Sequence, residues 1–422
     1  MECERKLIKD GIKLNIIKNT KFKTNLIAVF LTTELNRANV TKNALLSMIL
    51  RRGSKSLSSQ EEISKKMEEM YGASFDCGLD KTGDNQVFKF YIESINDAFL
   101  PQNDENLLKE SVERILEIIF DPYIENGCFK KEYVDQEKKN IKQRIKGKSD
   151  NKARYAMDRC IEEMYRGKAF GLYKFGYIED LDDIDEKNLY KYYKDLISSC
   201  KIDIYVSGNI DDNVIEIIEN DKNIKELNGR QAKYVSQKLE KKEKEEEEIV
   251  TESLDVTQGK LLLGLDVNID DEKYKYDTLI YNSILGGSAN SKMFQNVREK
   301  AHLAYVASSS YLKQKSNIFI SCGIEISNYE KALELIRKQI EDMKKGEFSQ
   351  KDVDDAKTGI IANVKTISDE QDTEISYYFG QELAQNDMPI EEYIEIIKKV
   401  TKQDVINVAN KVSINKIYFL RD

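Results

Sequence analysis

Two apolar runs set the frame of this chain. Leu26-Ile27-Ala28-Val29-Phe30-Leu31 and Leu261-Leu262-Leu263-Gly264-Leu265 are too short and too continuous for amphipathic helices, so each predicts a buried strand. After each run comes an apolar helix ending at glycine, through Leu50 to Gly53 and through Ile284-Leu285 to Gly286-Gly287. Glycine at such a stop predicts left-handed backbone. Strands follow over Val87–Ile92 and Ile318–Ile324, and then helices over Leu107–Phe120 and Tyr329–Met343. A Phe-x-x-x-x-Val signal opens a long helix in both halves, Phe129 to Val134 and Phe348 to Val353. Each half closes on a short strand, Ile202–Val206 and Lys416–Leu420.

Matched landmarks recur at roughly 215 to 235 residues, a spacing that points to duplication. Strands and helices are mixed without strict alternation. The pattern therefore predicts an α+β protein of two homologous domains, each a largely antiparallel sheet with helices packed on it. The expected boundaries are 1–230 and 254–422, joined by a linker over 231–253 that contains the charged run Lys238–Glu248.

Composition narrows the function classes. At 422 residues the chain exceeds one compact core. Three prolines, no tryptophan and 40% apolar residues describe a folded protein and not a disordered one. A net charge of −9 argues against nucleic-acid binding. Six cysteines without a Cys-x-x-Cys pair read as reduced thiols. The N-terminus lacks the apolar stretch of a secretory signal, and no apolar run reaches the roughly 18 residues that cross a bilayer. Together these features predict a soluble cytoplasmic protein with no membrane or nucleic-acid partner.

Local chemistry is sparse. Gly286–Ser291 lacks the Gly-Lys-Ser/Thr ending of a phosphate loop. The acidic pairs Glu61-Glu62 and Glu68-Glu69 fall on an amphipathic helix with Ile63, Met67, Met70 and Tyr71 expected inward, and Ser59 and Glu62 form a capping-box pattern at its start. His302 is the only histidine. Without a nearby carboxylate or thiol partner, it reads as a hydrogen-bonded structural group.

Three stretches carry a family resemblance: Ala44 to Ser54, Met67 to Phe75, and Ser291 to Tyr305, the last being the most specific. They resemble the pitrilysin or insulinase zinc peptidases and their mitochondrial processing-peptidase relatives, and the likeness spans essentially the whole chain. Within that family the nearest likeness is to an inactive Firmicutes subgroup associated with the 5-aminopentanol modification of elongation factor P. The family carries His-x-x-Glu-His on an early helix, where two imidazoles four residues apart grip one zinc and the glutamate activates its water. Here the ligand positions read Ala44 and Met48, and the base position reads Ser47. A third family ligand, a glutamate on a later helix, aligns with Arg144, whose guanidinium has no lone pair to give. Glu137, one heptad earlier, matches a second family glutamate, and reads at least equally as an exposed helical carboxylate beside Lys138.

The resemblance also assigns an arginine and a tyrosine in the second domain to holding the substrate backbone, and Arg298 and Tyr305 match that pair. Both can donate to a peptide carbonyl and to the oxyanion it becomes. What the resemblance implies is a chain that binds no zinc and catalyses nothing alone. It would pair with a zinc-bearing homologue of the same family, with a peptide as substrate. The alternative is a peptide-binding scaffold with no peptidase partner.

Overall fold

The computed structural model describes residues 3–100, 106–236 and 246–422. In chain order the first half runs β1 (Cys3–Lys9), β2 (Ile12–Lys18), β3 (Thr24–Glu34), α1 (Val40–Ile49), α2 (Gln60–Glu69), β4 (Ser74–Thr82), β5 (Asn85–Ile95) and α3 (Leu107–Phe120). It continues with a small hairpin, β6 (Ile124–Glu125) and β7 (Cys128–Phe129), then α4 (Lys131–Lys146), α5 (Lys152–Met164), α6 (Glu186–Ser199), β8 (Lys201–Gly208), α7 (Asn213–Asn220) and α8 (Lys222–Glu226). The second half has β9 (Glu248–Ser253), β10 (Gly259–Val267), α9 (Lys273–Asn282), β11 (Ala304–Leu312) and β12 (Asn317–Ile324). It ends with α10 (Tyr329–Lys344), α11 (Gln350–Lys365), α12 (Gln371–Leu383), α13 (Ile390–Lys399), α14 (Lys402–Ala409) and β13 (Val412–Arg421).

A six-stranded sheet, β1-β2-β8-β3-β5-β4, and a five-stranded sheet, β11-β12-β10-β13-β9, organise the two halves. Only β2–β8 and β13–β9 pair in parallel, so the expected α+β class with mainly antiparallel sheets holds. The two apolar runs are the central strands β3 and β10, each with a partner on both sides and buried along nearly its whole length. That position explains why they do not alternate.

The chain divides into two compact units that are not contiguous in sequence. One comprises residues 1–147, 172–236 and 368–387; the other comprises 148–171, 237–367 and 388–422. Each sheet thus has a helix from the opposite half of the sequence against it. In the first unit Ile375, Tyr378, Phe379 and Leu383 of α12 pack with Phe30, Val87 and Tyr205. The Phe30 and Phe379 rings lie 4.5 Å apart. In the second, Ala156, Cys160 and Met164 of α5 pack with Leu262, Phe319, Tyr418 and Leu420. Gly264 makes that approach possible, since a Cβ there would lie 2.8 Å from the Met164 sulfur.

Several expectations need correction. The stretch assigned as a linker, 231–253, includes β9, because Ile249 and Val250 extend the sheet beside Ile417 and Tyr418; most of the run Lys238–Glu248 lies outside the described residues. Gly53, Gly286 and Gly287 do not stop their helices through left-handed backbone. Contact is the reason instead: a Cβ on Gly53 would meet the Leu57 carbonyl at 2.8 Å, and one on Gly286 would meet Ser309 at 2.6 Å. Left-handed glycine does follow α2, at Gly72 with φ +76°. On that helix Ile63, Met67 and Met70 are buried, whereas Tyr71 is half exposed. Its cap is half a box. Ser59 accepts from the Glu62 N–H, but Glu62 accepts from Ser58 rather than from Ser59.

Candidate functional site

Helices α1 and α4 pack together in the first unit and bring the degenerate motif into one place. Val134, Glu137 and Ile141 turn one face of α4 inward. At the α1 end near Arg52, the Glu137 carboxylate receives the Arg52 guanidinium and accepts from Asn140 Nδ2 at 2.9 Å. Seven residues on, Arg144 stands over the Phe175 ring at 4.7 Å. The loop carrying Phe175 lies against the start of α1, where a Cβ on Gly176 would strike Thr41 and the Tyr177 N–H donates to Thr41 Oγ1 at 3.0 Å. The two helices therefore run antiparallel in register, with Ala44 and Met48 beside the stretch from Glu137 to Arg144.

None of the three donor positions can hold a metal. Ala44 is fully buried and has no donor atom. Met48 offers only a thioether, and Arg144 a permanent cation that repels a divalent ion. Ser47, at the base position, is buried and donates its hydroxyl to the Ala44 carbonyl at 2.8 Å, so it is turned to its own helix. Among the described residues no group of three His, Cys, Asp or Glu side chains could hold a metal ion. The chemistry of these donors does not fit zinc.

Glu137 is the residue that sequence reasoning placed least well. An exposed carboxylate beside Lys138 was the plain expectation. It is 3% exposed, and its partner is Arg52, 85 positions away. Lys138 instead donates to the Ile184 carbonyl at 2.7 Å. A guanidinium now supplies positive charge next to the surviving acid, which would otherwise be buried uncompensated.

The second unit holds the other candidates. Here α9 passes into a π-helical turn over Ser283–Gly287, and a π-helical segment over Met293–Lys300 leads to β11. Met293 and Val297 anchor that segment inward, leaving Arg298 on the exposed side. Its guanidinium lies 4.5 Å from the Phe294 ring, and Nε is 3.4 Å from the Glu299 carboxylate. Tyr305 is 71% exposed. It occupies a bulge in β11, where Ala304 pairs with Ile324 but Val306 pairs with Gly323. His302 just before it is exposed with φ +52°, a backbone turn into the strand, and its expected hydrogen bond is not found among the described residues. Elsewhere in this unit Asp277 of α9 is fully buried with neither carboxylate oxygen hydrogen-bonded. Burial, reinforced by the nearby Asp404, pushes its carboxyl up to about 6.

Comparison with known proteins fits this arrangement. Residues 183–360 match the family model described as the peptidase M16 inactive domain. The chain is 34% identical over 416 residues to "Probable inactive metalloprotease YmfF" of Bacillus subtilis (strain 168), covering 97% of this chain and 96% of that protein. This chain belongs to the peptidase M16 family. It is an inactive homologue within it. Among solved structures, a conserved protein from Enterococcus faecalis V583 superimposes with a TM-score of 0.89 at 27% identity, over 100% of this chain and 99% of that one. The peptidase M16 inactive domain of Pseudomonas fluorescens shares the fold, with a TM-score of 0.80 at 16% identity over 100% and 98%. No helix among the described residues is long and apolar enough to cross a membrane.

Proposed function

We propose that this chain is the substrate-binding, non-catalytic subunit of a two-chain peptidase, in which a zinc-bearing M16 homologue supplies the metal and this chain supplies Arg298 and Tyr305. The observation that carries the reading is an imbalance. The metal half of the motif is filled by side chains that offer at most one soft thioether, while the backbone-holding half keeps a guanidinium and a phenol at the surface, neither of them buried in the unit's own core. Arg298 and Tyr305 would then hold a peptide carbonyl, and its oxyanion, at the partner's metal. Co-expression with a zinc-bearing homologue, followed by a peptidase assay, tests this. Arg298→Ala is expected to reduce the complex's activity about a hundredfold. Unchanged activity would refute the shared site.

A second reading, a peptide-holding scaffold without a peptidase partner, is favoured by one feature of β11. Of the four edge strands of the two large sheets, β1, β4 and β9 all carry charged side chains, as natural edges commonly do. The β11 sequence Ala304–Leu312 has none, and Tyr305 and Val306 are exposed on it. An uncharged edge can accept an extended peptide as an added strand. Peptide binding by this chain alone, with no activity in the presence of any zinc-bearing homologue, would favour the scaffold; a link to elongation factor P modification belongs to this reading only.

A further inference from the structure

Arg298 is held by few groups. Its side chain is 43% exposed, and among the described residues its guanidinium makes no hydrogen bond. Nε lies 3.4 Å from the carboxylate of Glu299, itself 51% exposed, and an ion pair so open to solvent fixes little. What remains is a ring: the guanidinium carbon stands over Phe294, 4.5 Å from the ring centroid. The backbone brings the two together. Met293 and Val297 are fully buried and pin the segment to the core. Between them and Arg298, Asn296 Nδ2 donates to Oε1 of the buried Gln339 on α10 at 2.6 Å. The Ala301 N–H donates to the Asn296 carbonyl at 3.2 Å, the i−5 spacing of a π-helical turn. Helical side chains lean back over the preceding turn, so Arg298 lies on the residue four before it, and that residue is Phe294.

We propose that Phe294 is the positioning residue of the peptide-holding site: its ring covers one face of the Arg298 guanidinium and sets the direction in which the free N–H edge points. This rests on the reading of Arg298 as a group that holds a peptide carbonyl. A long, exposed arginine loses rotamer freedom when it binds. Stacking on a ring takes part of that loss before the peptide arrives, while the in-plane N–H donors stay open to the ligand. The oxyanion draws on those donors more strongly than the carbonyl it comes from. A misdirected guanidinium is therefore felt in kcat more than in KM.

The test is a double-mutant cycle on the full-length chain in complex with a zinc-bearing homologue, read with the end-quenched peptide Gly-Ser-Val-Phe-Val-Ser-Gly. Phe294→Leu is expected to lower kcat about fivefold with KM nearly unchanged, and Phe294→Tyr, which keeps the ring, to restore it. In the Arg298→Ala chain Phe294→Leu should cost nothing further. An equal loss in that background would make Phe294 a packing residue and overturn the proposal. So would full activity of Phe294→Leu in a complex that Arg298→Ala impairs. A second readout needs no partner: NMR relaxation of the Arg298 Nε–H in the full-length chain alone. Phe294→Leu should mobilise that group, and Phe294→Tyr should leave it as ordered as before. Unchanged Arg298 mobility in Phe294→Leu overturns the proposal whatever the complex does. Raised mobility, with an activity that ignores Arg298→Ala or with no activity at all, supports the ring as the group that fixes Arg298 and defeats the shared peptidase site alone.

Discussion

The α1/α4 pair and the Met293–Leu312 segment carry the two sets of positions that the family resemblance marks, and their surroundings differ. In the first, the side chains are spent on the helix pair itself: Ala44 is buried, Ser47 bonds its own helix, and Arg52 pairs with Glu137. In the second, the two side chains named by the family resemblance stay at the surface, with Tyr305 on a bulge that turns it outward. The lesson is that a discarded site is recognised by what satisfies its leftovers, whereas a retained one leaves polar groups only partly satisfied.

The largest expected effect lies in the rebuilt half. Arg52→Ala strands a buried carboxylate and should destabilise the chain by about 3–5 kcal/mol in urea denaturation. The double change Arg52→Leu with Glu137→Leu should recover most of that. If Arg52→Ala costs less than about 1 kcal/mol, the pair does not replace the metal as a structural element. Next comes Asp277→Asn, on α9 of the second unit. Because the folded carboxyl titrates near 6 and the unfolded one near 3.8, ionisation penalises the fold as pH rises between those values. The penalty is absent below about 4 and complete above about 6. The amide should therefore stabilise the chain by about 2–3 kcal/mol at pH 8 and by almost nothing at pH 3.5, which thermal melts at both pH values can check. Smallest is the effect of Arg298→Ala or Tyr305→Phe on folding. Both side chains are solvent-exposed, so stability should move by less than about 0.5 kcal/mol while the function of the complex suffers. A larger drop would make them structural groups and blur the contrast.

Much of this was legible in the residues. The apolar runs and the repeat named β3, β10 and their matching helices, and α3 spans the stretch Leu107–Phe120 that periodicity had marked. The change of donors at Ala44, Met48 and Arg144 could be read directly, because a methyl group, a soft thioether and a guanidinium are evident from residue identity alone. Other features could not be read. Amphipathic spacing shows that Ala156, Cys160 and Met164 share a buried face, but not that the sheet they cover lies in the other half of the sequence. The Arg52–Glu137 pair joins positions 85 apart, and only the register of α1 on α4 reveals it. Strand β9 was hidden by the charges around it, since a parallel edge needs only one side of its backbone paired and tolerates glutamates beside Ile249 and Val250.

Metal analysis of the purified chain by inductively coupled plasma mass spectrometry, before and after incubation with excess zinc and gel filtration, tests the account most directly. Far less than one zinc per chain, with no chelator-sensitive proteolysis until a zinc-bearing homologue is added, is the predicted result. One tightly held zinc per chain, accompanied by proteolysis that a chelator abolishes, would contradict it.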